Sequence, residues 1–246
     1  APANFISANP HFAISALRRY TQKDFTAWVE REGIAYHEKT LGQLFCDDSA
    51  KQIIEMLTRA MRANGVELRL RTAVEKIEKT ESGFRLALPH GAVTCASVVI
   101  ASGGKSIPKM GATGFGYEIA QQFGLNIIET RPALVPLTFE IKTLERLKPL
   151  AGVAVDAVAA CGKTKFAEAM LFTHRGLSGP AILQISSYWR EGQAITVTMA
   201  PGVKLTEVLK AARGSRGKQA VITVLADHLP RRVAQMILDE IGAPNN

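Results

Sequence analysis

The chain has 246 residues, 47% of them hydrophobic and 21% charged, and a formal net charge of +8. That composition suits one large core or two smaller ones and excludes a disordered polymer. No apolar run approaches the roughly 18 residues that a membrane span needs, and the first residues lack the basic and apolar regions of a signal peptide, so a cytoplasmic protein with no membrane partner is expected.

Cys46, Cys95 and Cys161 are odd in number and far apart, with no C-x-x-C, which points away from both a disulfide framework and a zinc site. The histidines (His11, His37, His90, His174, His228) are equally scattered, so no metal is expected. The sequence does not open on Met, which suggests processing or a longer parent chain. Charge is uneven: residues 1–130 carry 15 basic and 13 acidic side chains, residues 131–246 carry 15 and 9. Lys204, Lys210, Arg213, Arg216 and Lys218 concentrate the excess, at a density suited to phosphates and equally consistent with a solvated helix face.

In chain order, Asn9-Pro10 supplies a cap and first-turn proline for a helix carrying Phe12, Ile14 and Leu17. Thr21-x-x-Asp24 has the spacing of a capping box for a second helix through Trp28 and Val29, stopped by Gly33. Residues 34–46 alternate loosely and predict extended structure. Ser49 caps a third helix, with Ile53, Met56, Leu57 and Ala60 at helical spacing, which Asn64-Gly65 ends. From Val66 the period changes to two, through Leu68, Leu70, Val74 and Ile77. Turns at Ser82-Gly83 and His90-Gly91 then mark a β-meander.

The meander leads into the stretch that organises the chain. Val98-Val99-Ile100 reads as a buried parallel strand; Gly103-Gly104 breaks it, and helical spacing resumes at Tyr117, Ile119, Ala120 and Phe123. A strand opening into Gly-rich backbone is where α/β sheets hold nucleotides, although an ordinary Gly-rich connection fits the same spacing. Gly104-Lys105-Ser106 resembles the end of a P-loop, but Val99 stands where that loop needs glycine. Gly111, Gly114 and Gly116 give G-x-x-G-x-G, which is not the dinucleotide fingerprint order.

Pro132 and Pro136 bracket a boundary, followed by strands at 153–158 and 195–199 and helices at 206–212 and 218–241, interrupted at 227–230. Thr173-His174-Arg175-Gly176-Leu177-Ser178-Gly179-Pro180 leads into an apolar helix whose free N–H groups suit an anionic or carbonyl oxygen, with His174 beside it as a proton donor. Ser178 as an ordinary N-cap and His174 as a packing residue is the competing reading.

Three motifs in order, the Ala101–Tyr117 stretch, Arg131–Leu137 and Phe172–Pro180, resemble the BaiN/RdsA family of NAD(P)/FAD-dependent flavoproteins. The resemblance implies an α/β fold: part of a flavoprotein with two dinucleotide-binding domains, in which a Rossmann-like FAD domain with a β-meander carries an inserted β-rich and helical domain. The FAD part would be 1–130. The insert would be 131–246, β-rich to about 203 and helical from about 204. The G-x-G-x-x-G segment and the last flavin-binding segment that family members carry are not within this sequence.

Carried over residue by residue, Val74 would lie under the adenine of FAD. Ala101, Ser102, Gly103 and Gly104 would pass close to the dinucleotide, and Thr113, Gly114 and Gly116 would stand near the flavin. The separate reading of the Thr173–Pro180 stretch makes His174 and Ser178 the catalytic candidates. The family's activities reduce a carbon–carbon double bond conjugated to a carbonyl, with NADH or NADPH as electron donor. The basic 204–218 stretch favours a uracil ring in ribosomal RNA, giving dihydrouridine, with Phe172, Tyr188 or Trp189 available to stack. A small unsaturated metabolite as substrate, or a non-enzymatic basic RNA-binding module, are the alternatives.

Overall fold

The computed structural model describes residues 5–40, 42–215 and 219–242. The chain divides into two compact units, 1–128 and 129–246, both of mixed α/β character.

In the first unit, α1 (Ile14–Arg19) starts later than Asn9-Pro10 suggests. Asn9 Oδ1 instead accepts from the His11 N–H at 3.2 Å, holding residues 9–13 as turns. α2 (Gln22–Arg31) does open on the reciprocal Thr21–Asp24 capping box, with Thr21 N–H and Oγ1 each 2.7 Å from Asp24 Oδ2. β1 (Tyr36–Glu38) and β2 (Leu44–Cys46) form an antiparallel hairpin. α3 (Lys51–Ala63) follows, capped at Ala50, while Ser49 Oγ accepts only from Lys51 N–H. Val29, Ile34 and Met56 form the small core that joins these elements, with Tyr36 and Cys46 packed against it. Arg59 Nη2 donates to Glu32 Oε2 at 2.7 Å, tying α3 to the end of α2.

The meander is β3 (Lys76–Thr80), β4 (Gly83–Leu88) and β5 (Gly91–Cys95), antiparallel in that order. Two expected strands are absent. Residues 66–70 and Val98–Ile100 are irregular; Leu70 is 72% and Val99 87% exposed. Extended backbone becomes a strand only when a neighbour takes its N–H and C=O groups, and among the described residues no strand pairs with either run. Every strand pair found among them is antiparallel. Val74 therefore sits half-buried in an irregular lead-in, one residue before Glu75 N–H bonds Ala87 O, and not within a strand. α4 (Phe115–Gln122) then forms where helical spacing resumes, and Gln122 Nε2 donates to Ile77 O at 2.6 Å.

The second unit is built on a five-stranded antiparallel sheet in the order β10-β7-β8-β9-β6. Its strands are β6 (Leu137–Thr138), β7 (Ala154–Cys161), β8 (Thr164–Thr173), β9 (Gly176–Ser178) and β10 (Thr196–Met199). Alternation sends Val155, Ala157, Ala159, Met170 and Phe172 to one face, where α6 (Pro180–Ser186) buries Ala181, Ile182 and Ile185 against them. α5 (Ile141–Leu147) precedes the sheet's long hairpin. α7 (Leu205–Ser215), α8 (Val221–Ala226) and α9 (Arg231–Glu240) complete the unit, with Leu229 and Val233 joining the sheet core. Two glycines let chains touch. A Cβ on Gly176 (φ 147°) would lie 2.1 Å from Leu137 O, and one on Gly179 (φ 91°) 2.7 Å from Ala169 O.

Two outcomes are expected. Ile182→Ala, at a fully buried position, lowers the stability of this unit by about 2–5 kcal/mol, read by thermal unfolding. The Arg59 guanidinium bonded to Glu32 holds that carboxyl below its ordinary value. A depressed folded-state value stabilises above the ordinary carboxylate range and is lost as pH falls through it. In thermal melts across acid pH, Arg59→Met should therefore be less stable than the parent near neutrality, and the two should converge at low pH.

Candidate functional site

The Gly-rich stretch of the first unit closes on the start of α4. Gly114 is the helix N-cap, and Thr113 Oγ1 accepts from Phe115 N–H at 3.3 Å. A Cβ on Gly116 would meet Ser102 Oγ at 3.2 Å and Ile100 Cγ2 at 3.4 Å; one on Gly104 would meet Tyr117 Oη at 2.9 Å. Gly104 and Gly116 thus let the 100–104 loop lie directly against the first turn of the helix. Lys105 Nζ stands 5.7 Å from the Tyr117 ring centroid. Ala101, Ser102 and Gly103 remain exposed on the outer side of this contact, and Gly103 is left-handed (φ 73°) with nothing within 4 Å of a built Cβ. Ala101, Ser102, Gly103, Gly104, Thr113, Gly114 and Gly116 therefore form one local edge, while Val74 lies in the lead-in to β3. Beside the edge, a cleft of about 430 Å³ is lined by Ile77, Phe84, Val98, Ile100, Ile119 and Phe123.

In the second unit, His174 and Arg175 are the two-residue turn between β8 and β9, and both are exposed. Thr173 locks the turn: its Oγ1 donates to Gly176 O at 3.0 Å and accepts from Arg175 N–H at 3.2 Å. Ser178 pairs with Leu171 two residues along β9, roughly 7 Å of strand from Gly176. The two residues share one hairpin without sharing its tip. The cap of α6 is Gly179, with no side-chain bond, and Pro180 opens the helix. Gln184 Nε2 donates to Glu168 Oε1 across the α6–β8 contact.

Phe172 is 5% exposed in the sheet core, so it offers no surface to a base, contrary to expectation. Trp189 is half-buried and donates through Nε1 to Gln193 O at 2.7 Å, whereas Tyr188 is at the surface with its ring 5.7 Å from that of Phe166. On α7, the inward set is Leu205, Val208, Leu209 and Ala212, leaving Lys210 and Arg213 three apart on the outer face. Lys204 Nζ donates to Glu207 Oε1 at 3.2 Å. Arg216 and Lys218 lie outside the described residues. Among those residues, no group of three or more His, Cys, Asp or Glu side chains could hold a metal ion, and no helix is long and apolar enough to cross a membrane.

Sequence reading passed over β8, although Phe166, Glu168, Met170 and Phe172 carry a period of two. It also passed over the pair His37 and Asp47, whose Nδ1 and Oδ1 are 2.8 Å apart across the β1–β2 hairpin. The signal there is His-x-Lys facing Phe-x-Asp around a turn.

A meander running into a Gly-rich loop and helix in one unit, and a five-stranded antiparallel sheet covered by helices in the other, define a mixed α/β protein. Sequence comparison makes the class specific: the HI0933-like protein Rossmann domain matches residues 1–221, and the chain belongs to that family. The ribosomal RNA dihydrouridine synthase of Escherichia coli (strain K12) is 50% identical over 242 residues, covering 98% of this chain and 60% of that protein. The protein of the same name from Haemophilus influenzae (strain ATCC 51907 / DSM 11121 / KW20 / Rd) is 41% identical over 245 residues, 97% of this chain and 61% of that protein. The chain thus spans about three fifths of the length of these curated relatives.

The Gly116 contact predicts a coupled pair. Gly116→Ala should loosen the 100–104 loop, read as faster amide exchange there, and Ser102→Ala should reverse much of the effect. The coupling between the two is expected at about 0.5–3 kcal/mol.

Proposed function

We propose that the protein works as an FAD-dependent oxidoreductase that reduces a uracil ring in ribosomal RNA to dihydrouridine, drawing electrons from NADH or NADPH. The observation that carries this is the 50% identity, across 98% of the chain, to a protein named for that reaction. The exposed Ala101–Gly103 edge fits an extended dinucleotide: it offers bare backbone, and at Gly103 a ligand could approach where a side chain would otherwise project. Ala101, Ser102, Gly103 and Gly104 would hold the dinucleotide, with Val74 on its adenine side and Thr113, Gly114 and Gly116 toward the ring system. When bound, the flavin supplies the hydride.

The residues of this chain supply position and the proton. Reduction adds hydride at uracil C6, the carbon β to the C4 carbonyl, and a proton at C5, so the protein must stabilise charge on the carbonyl oxygen and deliver one proton. His174 is assigned that delivery: it is a proton-carrying group at the tip of a turn that Thr173 holds. Ser178, half-buried on the same hairpin, is assigned the polarisation of a substrate oxygen. Lys210 and Arg213 on α7, with Lys204, would bind RNA phosphates in a chain whose net charge is +8.

The test is to incubate the complete protein with FAD, reduced nicotinamide and unmodified ribosomal RNA, and to follow the mass gain of two hydrogens on a uridine. His174→Gln should lower turnover by about 10²–10⁴-fold while leaving flavin bound. The pair Lys210→Glu and Arg213→Glu should weaken RNA binding and reduce its salt slope by roughly one per lost phosphate contact. A complete protein that binds flavin but transfers no hydrogen to RNA would overturn the proposal.

A further inference from the structure

Three residues other than glycine among those described have left-handed backbone: Arg71, Leu134 and Ala200, at φ 53°, 57° and 51°. For leucine that conformation crowds Cβ against the following carbonyl oxygen, a cost that glycine does not meet. Leu134 lies in the 131–137 strap that leads into β6, between Pro132 and Pro136. Two hydroxyls hold it there. Ser187 Oγ accepts from Leu134 N–H at 3.1 Å and Ser186 Oγ from Val135 N–H at 3.0 Å, while Ser186 Oγ also donates to Leu183 O at 2.8 Å. Ser186, 5% exposed, is the one buried polar side chain among the described residues.

The leucine held in this way is 62% exposed. Glycine would take the same backbone without strain, so the position is explained by its side chain and not by its fold. The large apolar side chains exposed in the second unit, among the described residues, are Leu134, Ile141, Tyr188 and Ile241. Ile141 opens α5 and Ile241 follows α9, whereas Tyr188 is the chain neighbour of the Ser187 that holds Leu134. One branched and one aromatic side chain make a spot for a single ring, far below the roughly 800 Å² per partner that a stable protein interface buries. β6 pairs Leu137 with Leu177 and Thr138 with Gly176 of β9, the strand that ends on Ser178. Leu134 is therefore three residues, roughly 10 Å of extended chain, from a rung next to Ser178.

We infer that Leu134 is a substrate contact: its side chain lies on the face of the target uracil and positions the ring against the hairpin that carries His174 and Ser178. A flat unsaturated ring accepts an apolar contact over its face while its carbonyl and N–H groups stay at the edge for polar partners. The dihydrouracil product is puckered at C5 and C6, and a side chain on a backbone fixed by two hydroxyls does not follow that change, so the contact favours substrate over product. This inference rests on the RNA reading of the previous subsection and adds a contact that reading does not contain.

The experiment measures steady-state hydrogen transfer to unmodified ribosomal RNA by the complete protein with FAD and reduced nicotinamide, alongside thermal melts. Leu134→Gly should raise the KM for RNA about ten-fold and leave reduction of the bound flavin by the nicotinamide unchanged. It should also melt no lower than the parent, because glycine adopts φ 57° freely. Leu134→Met keeps the apolar bulk and should stay close to the parent's KM. A glycine variant with the parent's KM overturns the contact, and one that melts well below the parent makes the leucine a packing residue and overturns it as well. If the parent modifies RNA and Leu134→Gly does so with equal KM, the contact falls and the RNA reading stands; if the parent adds no hydrogen to RNA, both fall.

Discussion

The second unit depends on two places where backbone meets backbone without a side chain between. At Gly176, β9 passes so close to Leu137 O that any Cβ would occupy the space of that oxygen, and Gly179 crosses β8 almost as tightly. Because both are glycine, a three-residue strand can bridge the long β8 and the two-residue β6, and the chain can then turn at once into α6. The rest follows: α6 meets Ala157, Met170 and Phe172, and its last turn holds the returning segment through Ser186 Oγ to Val135 N–H and Ser187 Oγ to Leu134 N–H. The His174–Arg175 turn inherits its rigidity from the same corner.

How much of this could be read in the letters varies with how local the cause is. The Thr21–Asp24 box, the end of α3 at Asn64-Gly65, the meander turns and the break between α8 and α9 were legible, because capping, turn chemistry and proline act within a few residues. Asn9-Pro10 misled, since the asparagine had a nearer N–H to accept from. β8 was missed although its alternation is regular; two of its three exposed positions are alanines and Glu168 stands on the other face, so the contrast between its two faces is weak on any hydropathy scale.

The strands at 66–70 and 98–100 show the opposite case. Their apolar, branched residues were read as sheet, yet Leu70 and Val99 face outward and form no ladder, and Ile128 is 83% exposed after α4. Period and apolarity report that a segment would gain by pairing, but a strand's partner is a distant part of the chain that no local window contains. The site is legible in the same graded way. The loop contact with α4 follows from where glycines stand. The His37–Asp47 pair required knowing the hairpin register.

The order of strands in the second sheet also bears on how the unit acquires its structure. β7, β8, β9 and α6 are consecutive in sequence from Ala154 to Ser186, and each strand connection in that run is a two-residue turn. Closing such short loops costs little chain entropy. The outer strands β6 and β10 come from before and after this run, β6 being separated from it by α5. The sheet can therefore assemble from its centre outward as a growing chain leaves the ribosome, with the later helices docking onto a surface that already exists.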